Sequence, residues 1–476
     1  MLFNTFDFLF LFFPLVTLVY FLLPHQFRWI WLLGASVYFY SYFIPYYLLI
    51  LALAIIIDYG AGILIENSNN KKHQKYYLVA SILSTILLLF IFKYYNFAVT
   101  NINHLTGYVQ SGWKIDLLAL ALPVGLSFHT FQSLSYVIEV YRGNQKAERH
   151  FGIYSLYVMF YPQLVAGPIE RPQNMLHQFY EKHNFDPKQF TMGLRLIVWG
   201  LFKKVVIADN INVITNSIFD NYSQLNSLYL YFGALLFSIQ IYCDFSGYSD
   251  MALGSAKCMG FKLMENFNLP YISQSIKEFW SRWHISLSTW FKDYVYLPLG
   301  GNREGKKKMV LNQVYVFLIS GVWHGANWTF LVWGALHAFY NTIGNLLPKQ
   351  LLNLEFIKNN FLRKKLNQFI VFNLVLFAWI FFRAATVTGA FDYISNMFTR
   401  YDFMIDPSGS GIRKISFYAL ISLALFFLMF DRNVHQFIRK ENNLFQVKAV
   451  ALFSVLVALV ITIGFWGKVQ FIYFQF

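Results

Sequence analysis

Long apolar runs separated by short polar breaks recur from one end of the chain to the other. They include "FLFLFFPLVTLVYFLL", "YYLLILALAIIIDYGAGILI", "YYLVASILSTILLLFIF" and "VLVALVITIGFW". Such runs approach the roughly 20 residues that a helix needs to cross a bilayer, and their number along the chain predicts about ten to twelve membrane helices. The first run lacks a basic start and a small-residue cleavage site, so it is expected to stay as an anchor. Regularity is lost at about 160–190 and 266–308, where Pro, Gly, charge and aromatic residues mix. These stretches predict interfacial or re-entrant helices that line a cavity, because irregular backbone at membrane depth survives only where protein or water satisfies it. No repeat or Gly/Ser linker divides the chain. The expected organisation is one all-helical, polytopic membrane domain over residues 1–466 and a tail over 467–476.

Composition agrees with that pattern: 57% of the 476 residues are hydrophobic and 13% charged, with 53 Phe, 32 Tyr and 12 Trp. The formal net charge of +15 is spread between apolar runs, which suits anionic lipid headgroups and topology rather than nucleic acid. Lys71, Lys72 and Lys75, then Arg142, Lys146 and Arg149, mark cytoplasmic loops and place the N-terminus outside. Arg303, Lys306, Lys307 and Lys308, and later Arg432, Arg439 and Lys440, mark further cytoplasmic loops, so the last helix, at about 447–465, runs outward. The aromatic ending "FIYFQF", residues 471–476, is then extracytoplasmic. Cys243 and Cys258 have no metal-ligand spacing and read as core residues.

Five stretches carry candidate chemistry. In "FLISGVWHGANWTFLVWGALHAFY", His324 lies among Trp323, Gly325 and Asn327. Sixteen helical residues beyond Lys308 lift it roughly 24 Å from the cytoplasmic charges. A histidine at that depth is either bonded to a backbone carbonyl or shuttles a proton. His337 reads as structural. In "SIKEFWSRWHISLSTWFKDYVYLPLGGNR", helical spacing puts Trp280, His284, Leu287 and Phe291 on one face, with Lys277, Arg282, Lys292 and Asp293 away from it. An interfacial helix and a functional histidine explain His284 equally well. In "LLFSIQIYCDFSGYSDMALG", Asp244, Ser246, Tyr248 and Asp250 interrupt an apolar run. They read as a helix break with Asp244 bonded to backbone amides, as a polar pocket wall, or as both. Finally, Pro123 is expected to kink a helix, and Gln132, Glu139, Arg142, Gln163, Glu170 and Arg171 read mainly as buried networks or caps.

Phosphate-binding, dinucleotide, nucleophile-elbow and zinc-protease motifs are absent. Taken together, "MLFNTFDFLFLFFPL", "FQSLSYVIEVYRG", "YPQLVAGPIERPQ", "YCDFSGYSDMALG", "FWSRWHISLSTWFKDYVYLPLGG", "GVWHGANWTFLVWGALHA" and "FIYFQF" resemble the bacterial membrane-bound O-acyltransferases. The resemblance runs over the whole chain. It is nearest to the alginate O-acetyltransferase branch, which includes peptidoglycan O-acetylation proteins, and more distant to the teichoic acid D-alanylation branch. It implies a ring of membrane helices with a funnel from each side meeting at a catalytic histidine, here His324, with His284 as the second active-site position. Tyr473 of the ending is implied as a transient acyl carrier. His129 departs from the family pattern and is given no role.

The resemblance further implies a cytoplasmic thioester donor such as acetyl-CoA, no bound cofactor or metal, and an extracytoplasmic partner of the SGNH type serving a polysaccharide acceptor. The expected location is the cytoplasmic (inner) membrane. Trp323, Asn327, Asp244, Ser246, Tyr248, Gln163, Arg282 and Lys292 are the candidate funnel residues, and headgroup anchoring explains the last two cations as well. A proton-coupled transporter and a docking scaffold are the rivals from other classes. The transporter lacks the paired, broken-helix repeats expected of it. The scaffold leaves the Trp-His-Gly stretch unexplained.

Overall fold

The computed structural model describes residues 1–108, 113–348, 354–401, 414–438, 447–467 and 469–474, and every regular element among them is helical. Arg439, Lys440 and Phe476 lie outside the described residues, as does the side chain of Phe474. Four described helices are long and apolar enough to cross a membrane: Tyr47–Asn67, Lys71–Tyr108, Ser227–Cys258 and Asn360–Arg383. Asp7–Leu22 and Val447–Thr462 are shorter apolar helices. Local chemistry sets several starts. Asn70 accepts from the Lys72 N–H, and Asn359 accepts from the Phe361 and Leu362 N–H groups, so both helices begin with capped donors.

The chain forms two compact units. One comprises Met1–Leu194 with Ala252–Met264, the other Arg195–Met251 with Glu265–Phe476. In the first, Tyr47–Asn67 packs against Leu126–Arg142 and Lys71–Leu89. Buried Asp58 accepts from Ser81 at 2.6 Å, which satisfies a carboxylate oxygen inside apolar surroundings. Pro123 does not kink a helix. Leu126 N–H bonds back to its carbonyl and Gly125 adopts φ 77°, so Pro123 belongs to the turn that precedes the helix, where its missing N–H leaves no gap. The irregular 160–190 region contains three short helices, Tyr161–Leu164, Pro172–Met175 and Leu176–Phe179, before the longer helix Pro187–Leu201 begins. It lines a polar cavity of about 650 Å³ with Glu170, Asn174, His177 and Lys262.

The second unit is built on a helix-turn-helix pair, Gly305–His324 and Trp328–Leu346, against which Asn360–Arg383 packs. After Leu201 the chain widens into a π-helical segment, Phe202–Ala208, whose residues are all buried. Such segments shift side-chain register without ending a helix. The segment lies against the long helix through two glycines. A Cβ on Gly200 would stand 2.5 Å from the Gly247 carbonyl oxygen, and one on Gly247 would stand 2.7 Å from the Gly200 oxygen and 3.1 Å from the Lys204 nitrogen. Gly247→Ala is therefore expected to lower the melting temperature of the solubilised protein, since overpacking at backbone typically costs about 1–3 kcal/mol. Gly34→Ala, where a Cβ meets nothing within 4 Å, is the control and should cause no loss.

Candidate active site

His324 is the last residue of the helix Gly305–His324, which ends because Gly325 turns to extended backbone and Asn327 caps the next helix by accepting the Thr329 N–H at 3.1 Å. The imidazole is buried, with ring centroids of Trp333 at 4.8 Å, Trp323 at 4.9 Å, Phe382 at 5.3 Å and Tyr473 at 5.7 Å. Asn327 Nδ2 donates to the Ala385 carbonyl, so this residue fixes the turn behind His324. Trp323 is one wall of the site, while His337 lies beyond Trp333 and packs on Trp280 at 5.0 Å.

The second histidine arrives by a different route from the single helix face that spacing suggests. The helix stops at Arg282, Trp283 is extended, and a new helix runs Ile285–Phe291. Asn266 makes the break tolerable: its carbonyl accepts the Ile285 N–H and its side chain accepts from the Ser286 N–H and hydroxyl. Between the two helices His284 sits fully buried at φ 44°, ψ 55°, a left-handed conformation that costs a non-glycine residue about 1–3 kcal/mol. That turn aims its ring at Phe245 (4.7 Å), Trp323 (6.1 Å) and Tyr473 (6.4 Å). His284→Asn should still fold, because Asn is among the side chains that tolerate this backbone region best. A melting temperature for His284→Asn close to that of wild type is the expected result, and a clearly lower one would mean that the imidazole itself holds the turn.

Tyr473 belongs to the short 3₁₀ turn Ile472–Phe474 that follows the helix Val447–Thr462. Its ring also contacts Phe245 at 4.6 Å, Phe471 at 5.6 Å and Phe382 at 6.3 Å. Phe471 is buried against Tyr248 at 4.9 Å, which makes Tyr248 part of the seat for this aromatic segment. Two imidazoles and one phenol thus converge in an aromatic shell within one unit. Such a set can take a proton from a hydroxyl, donate to a developing oxyanion and carry a group on oxygen.

Asp244 does not break its helix, since Ser227–Cys258 is continuous through it. Its Oδ1 lies 2.6 Å from Lys204 Nζ, and its Oδ2 accepts the Ile472 N–H at 2.7 Å. Lys204 also meets Asp209 at 2.7 Å. Neighbouring Lys203 meets Asp250 at 2.6 Å and donates to Ser246 at 2.9 Å. Sequence reasoning passed over Lys203, Lys204 and Asp209, although two lysines inside the apolar stretch "WGLFKKVVIADN" were a visible signal. Gln163 is in the first unit and donates to the Tyr157 carbonyl, Arg282 pairs with Glu278 at 2.9 Å, and Lys292 is exposed.

Residues 150–359 match the membrane-bound O-acyltransferase family. A protein of Azotobacter vinelandii named "Probable alginate O-acetylase" is 37% identical over 413 residues, covering 85% of this chain and 79% of its own. The "Peptidoglycan O-acetyltransferase" of Helicobacter pylori is 36% identical over 430 residues, covering 83% of this chain and 80% of its own. Similarity to the "Teichoic acid D-alanyltransferase" of Bacillus subtilis is 31% over 274 residues, with 54% of this chain and 68% of that protein covered. The chain belongs to the membrane-bound O-acyltransferase family and is an acyltransferase of the membrane.

Proposed function

We propose that this acyltransferase takes an acetyl group from a cytoplasmic thioester, acetyl-CoA, and delivers it through Tyr473 for O-acetylation of an extracytoplasmic polysaccharide of the alginate or peptidoglycan kind. The single observation carrying this reading is the convergence of Tyr473 with His324 and His284. The names of the two more similar relatives support acetyl as the group and these polysaccharides as the acceptor class. The basic-loop count supports a cytoplasmic membrane with Tyr473 at its outer side and the donor at its inner side.

A thioester in the cytoplasm and a sugar hydroxyl outside do not meet across lipid, so the transfer runs in two stages. In the first, His324 takes the Tyr473 proton as the phenol oxygen attacks the thioester carbonyl. An unaided phenol, with its ordinary pKa near 10, is a poor nucleophile at neutral pH. His284 donates to the tetrahedral oxyanion. The C–S bond breaks, the thiolate recovers the proton from His324, and acetyl-Tyr473 remains. In the second stage an acceptor hydroxyl, presented by an SGNH-type extracytoplasmic partner, attacks the phenyl ester and its proton passes through His324 to the departing phenolate. A phenyl ester releases its acyl group more readily than an alkyl ester, so the intermediate passes the group onward. The aromatic shell holds the reacting ring in place, which makes each stage effectively unimolecular.

Peptide mass spectrometry of the purified protein incubated with acetyl-CoA tests this. An acetyl mass on the peptide bearing Tyr473 is the expected result. Transfer to a partner that proceeds with no such mass would reduce the aromatic segment to packing and leave His324 to serve the acceptor directly. Thioester turnover is the activity that membership of an acyltransferase family supports, and it displaces proton-coupled uptake as a reading of the buried histidines.

A further inference from the structure

Lys203, Lys204, Asp209 and Asp244 are almost completely buried, and Asp250 joins them through Lys203. Removing ions from water costs several kcal/mol each, and well-packed apolar side chains generally do as well for stability. A network like this therefore calls for a job that Leu or Met cannot do. The hydrogen bonds show one candidate. Lys204 stands between Asp209 and Asp244, and the second oxygen of Asp244 accepts the Ile472 N–H, 228 residues along the chain. Ile472 opens the turn that carries Tyr473.

The π-helical segment that supplies Lys204, together with the helix Asp209–Asp220 that follows it, fastens the chain just beyond the helix Val447–Thr462. Val205 accepts the Phe465 N–H at 2.8 Å, and Asn210 donates to the Ile463 carbonyl at 3.1 Å. The aromatic segment is thus held at two points, near residue 465 and at residue 472, by one stretch of chain and its ion partners. Of these two, only the Asp244 bond is adjacent to the tyrosine.

We propose that Asp244, paired with Lys204, is the positioning residue for the aromatic segment: its carboxylate grips the Ile472 N–H and so seats Tyr473 against His324 and His284. The bond is charge-assisted and buried, the kind that loses most when either partner is removed. Asp244 touches neither donor nor acceptor and acts through the backbone of the carrier segment. This rests on the reading that Tyr473 carries the acyl group.

The test uses the full chain in lipid nanodiscs with acetyl-CoA. It compares wild type, Asp244→Ala, Ile472→Ala, Ile472→Pro and the Asp244→Ala/Ile472→Pro double variant. Proline at the first position of the turn removes the N–H that alanine keeps and sets a φ that helical turns use. Ile472→Pro is expected to form acetyl-Tyr473 about 10- to 100-fold more slowly than Ile472→Ala, and Asp244→Ala about 10- to 100-fold more slowly than wild type. KM for acetyl-CoA should stay within about threefold. Because both changes break one bond, the double variant should be no slower than the worse single variant. Equal rates for Ile472→Pro and Ile472→Ala, or multiplied losses in the double variant, would overturn the assignment.

If Asp244→Ala fails to fold, the proline and alanine pair decides alone, since neither replaces a charged member of the ion network. Backbone hydrogen exchange of the peptide containing 469–474 separates this proposal from the relay itself. If wild type forms no acetyl-Tyr473, the relay is wrong, and the seat is then judged by exchange. Faster exchange confined to that peptide in Ile472→Pro supports the seat, and exchange equal to that of Ile472→Ala removes it.

Discussion

His324→Gln is expected to leave a folded protein whose acetyl transfer falls by about 10²- to 10⁴-fold, the range that general-base assistance typically contributes. Glutamine fills much of the imidazole volume between Trp323, Trp333 and Phe382 and still hydrogen-bonds, but it does not accept a proton at neutral pH. His324→Ala removes the base and leaves a hole in an aromatic shell, so its loss combines chemistry with packing. The glutamine variant is the cleaner probe, and its rate of acetyl-Tyr473 formation, measured beside its melting temperature, is the quantity to follow. Full O-acetylation by well-expressed His324→Ala protein would remove His324 from the chemistry altogether.

Tyr473→Phe is the second large effect. It deletes one oxygen and keeps the ring that packs on Phe245, Phe471 and Phe382, so the aromatic segment should remain seated. Acetyl label on that peptide should disappear, and O-acetylation in cells should drop to the level of cells lacking the protein. The loss exceeds that for His324→Gln because a missing nucleophile has no slow, unassisted path. Unchanged O-acetylation with Tyr473→Phe would mean that the acceptor hydroxyl meets the thioester without an intermediate, and the two-stage scheme would fall.

How far the site was legible depended on whether the deciding contact was local. His324 could be read because a histidine after a long apolar helix, between Trp and Gly, is anomalous within its own neighbourhood. The position of His284 could not, because the helix around it breaks on account of Asn266, a capping residue from a separate turn of chain. Its left-handed backbone leaves no mark in "WSRWHISL". Asp244 was recognised as an anomaly, and of the readings offered for it the helix break is the one that fails. Its partners are Lys204 and the Ile472 amide, and no spacing rule connects residues so far apart. Arg282, paired with Glu278, and Lys292, exposed, fit a cationic donor mouth and headgroup anchoring alike, because both readings ask only for a charge at the surface. The all-helical membrane fold was the most legible feature, because continuous apolarity and basic loops are properties of the segments themselves.

Lys203 and Lys204, and across from them Asp244 and Asp250, also constrain how the protein enters the membrane. Placed singly at the centre of a bilayer, each such charge costs about 2.5–3.5 kcal/mol on insertion scales. The two lysines are synthesised before their carboxylates, with only Asp209 close behind. Lys203 and Lys204 have only Asp209 as a partner until 227–251, part of a helix long and apolar enough to cross a membrane, brings Asp244 and Asp250. The ion pairs that seat the carrier segment in the finished enzyme thus also tie the burial of the two lysines to the arrival of that helix, and neutralising the lysines would release the one from the other.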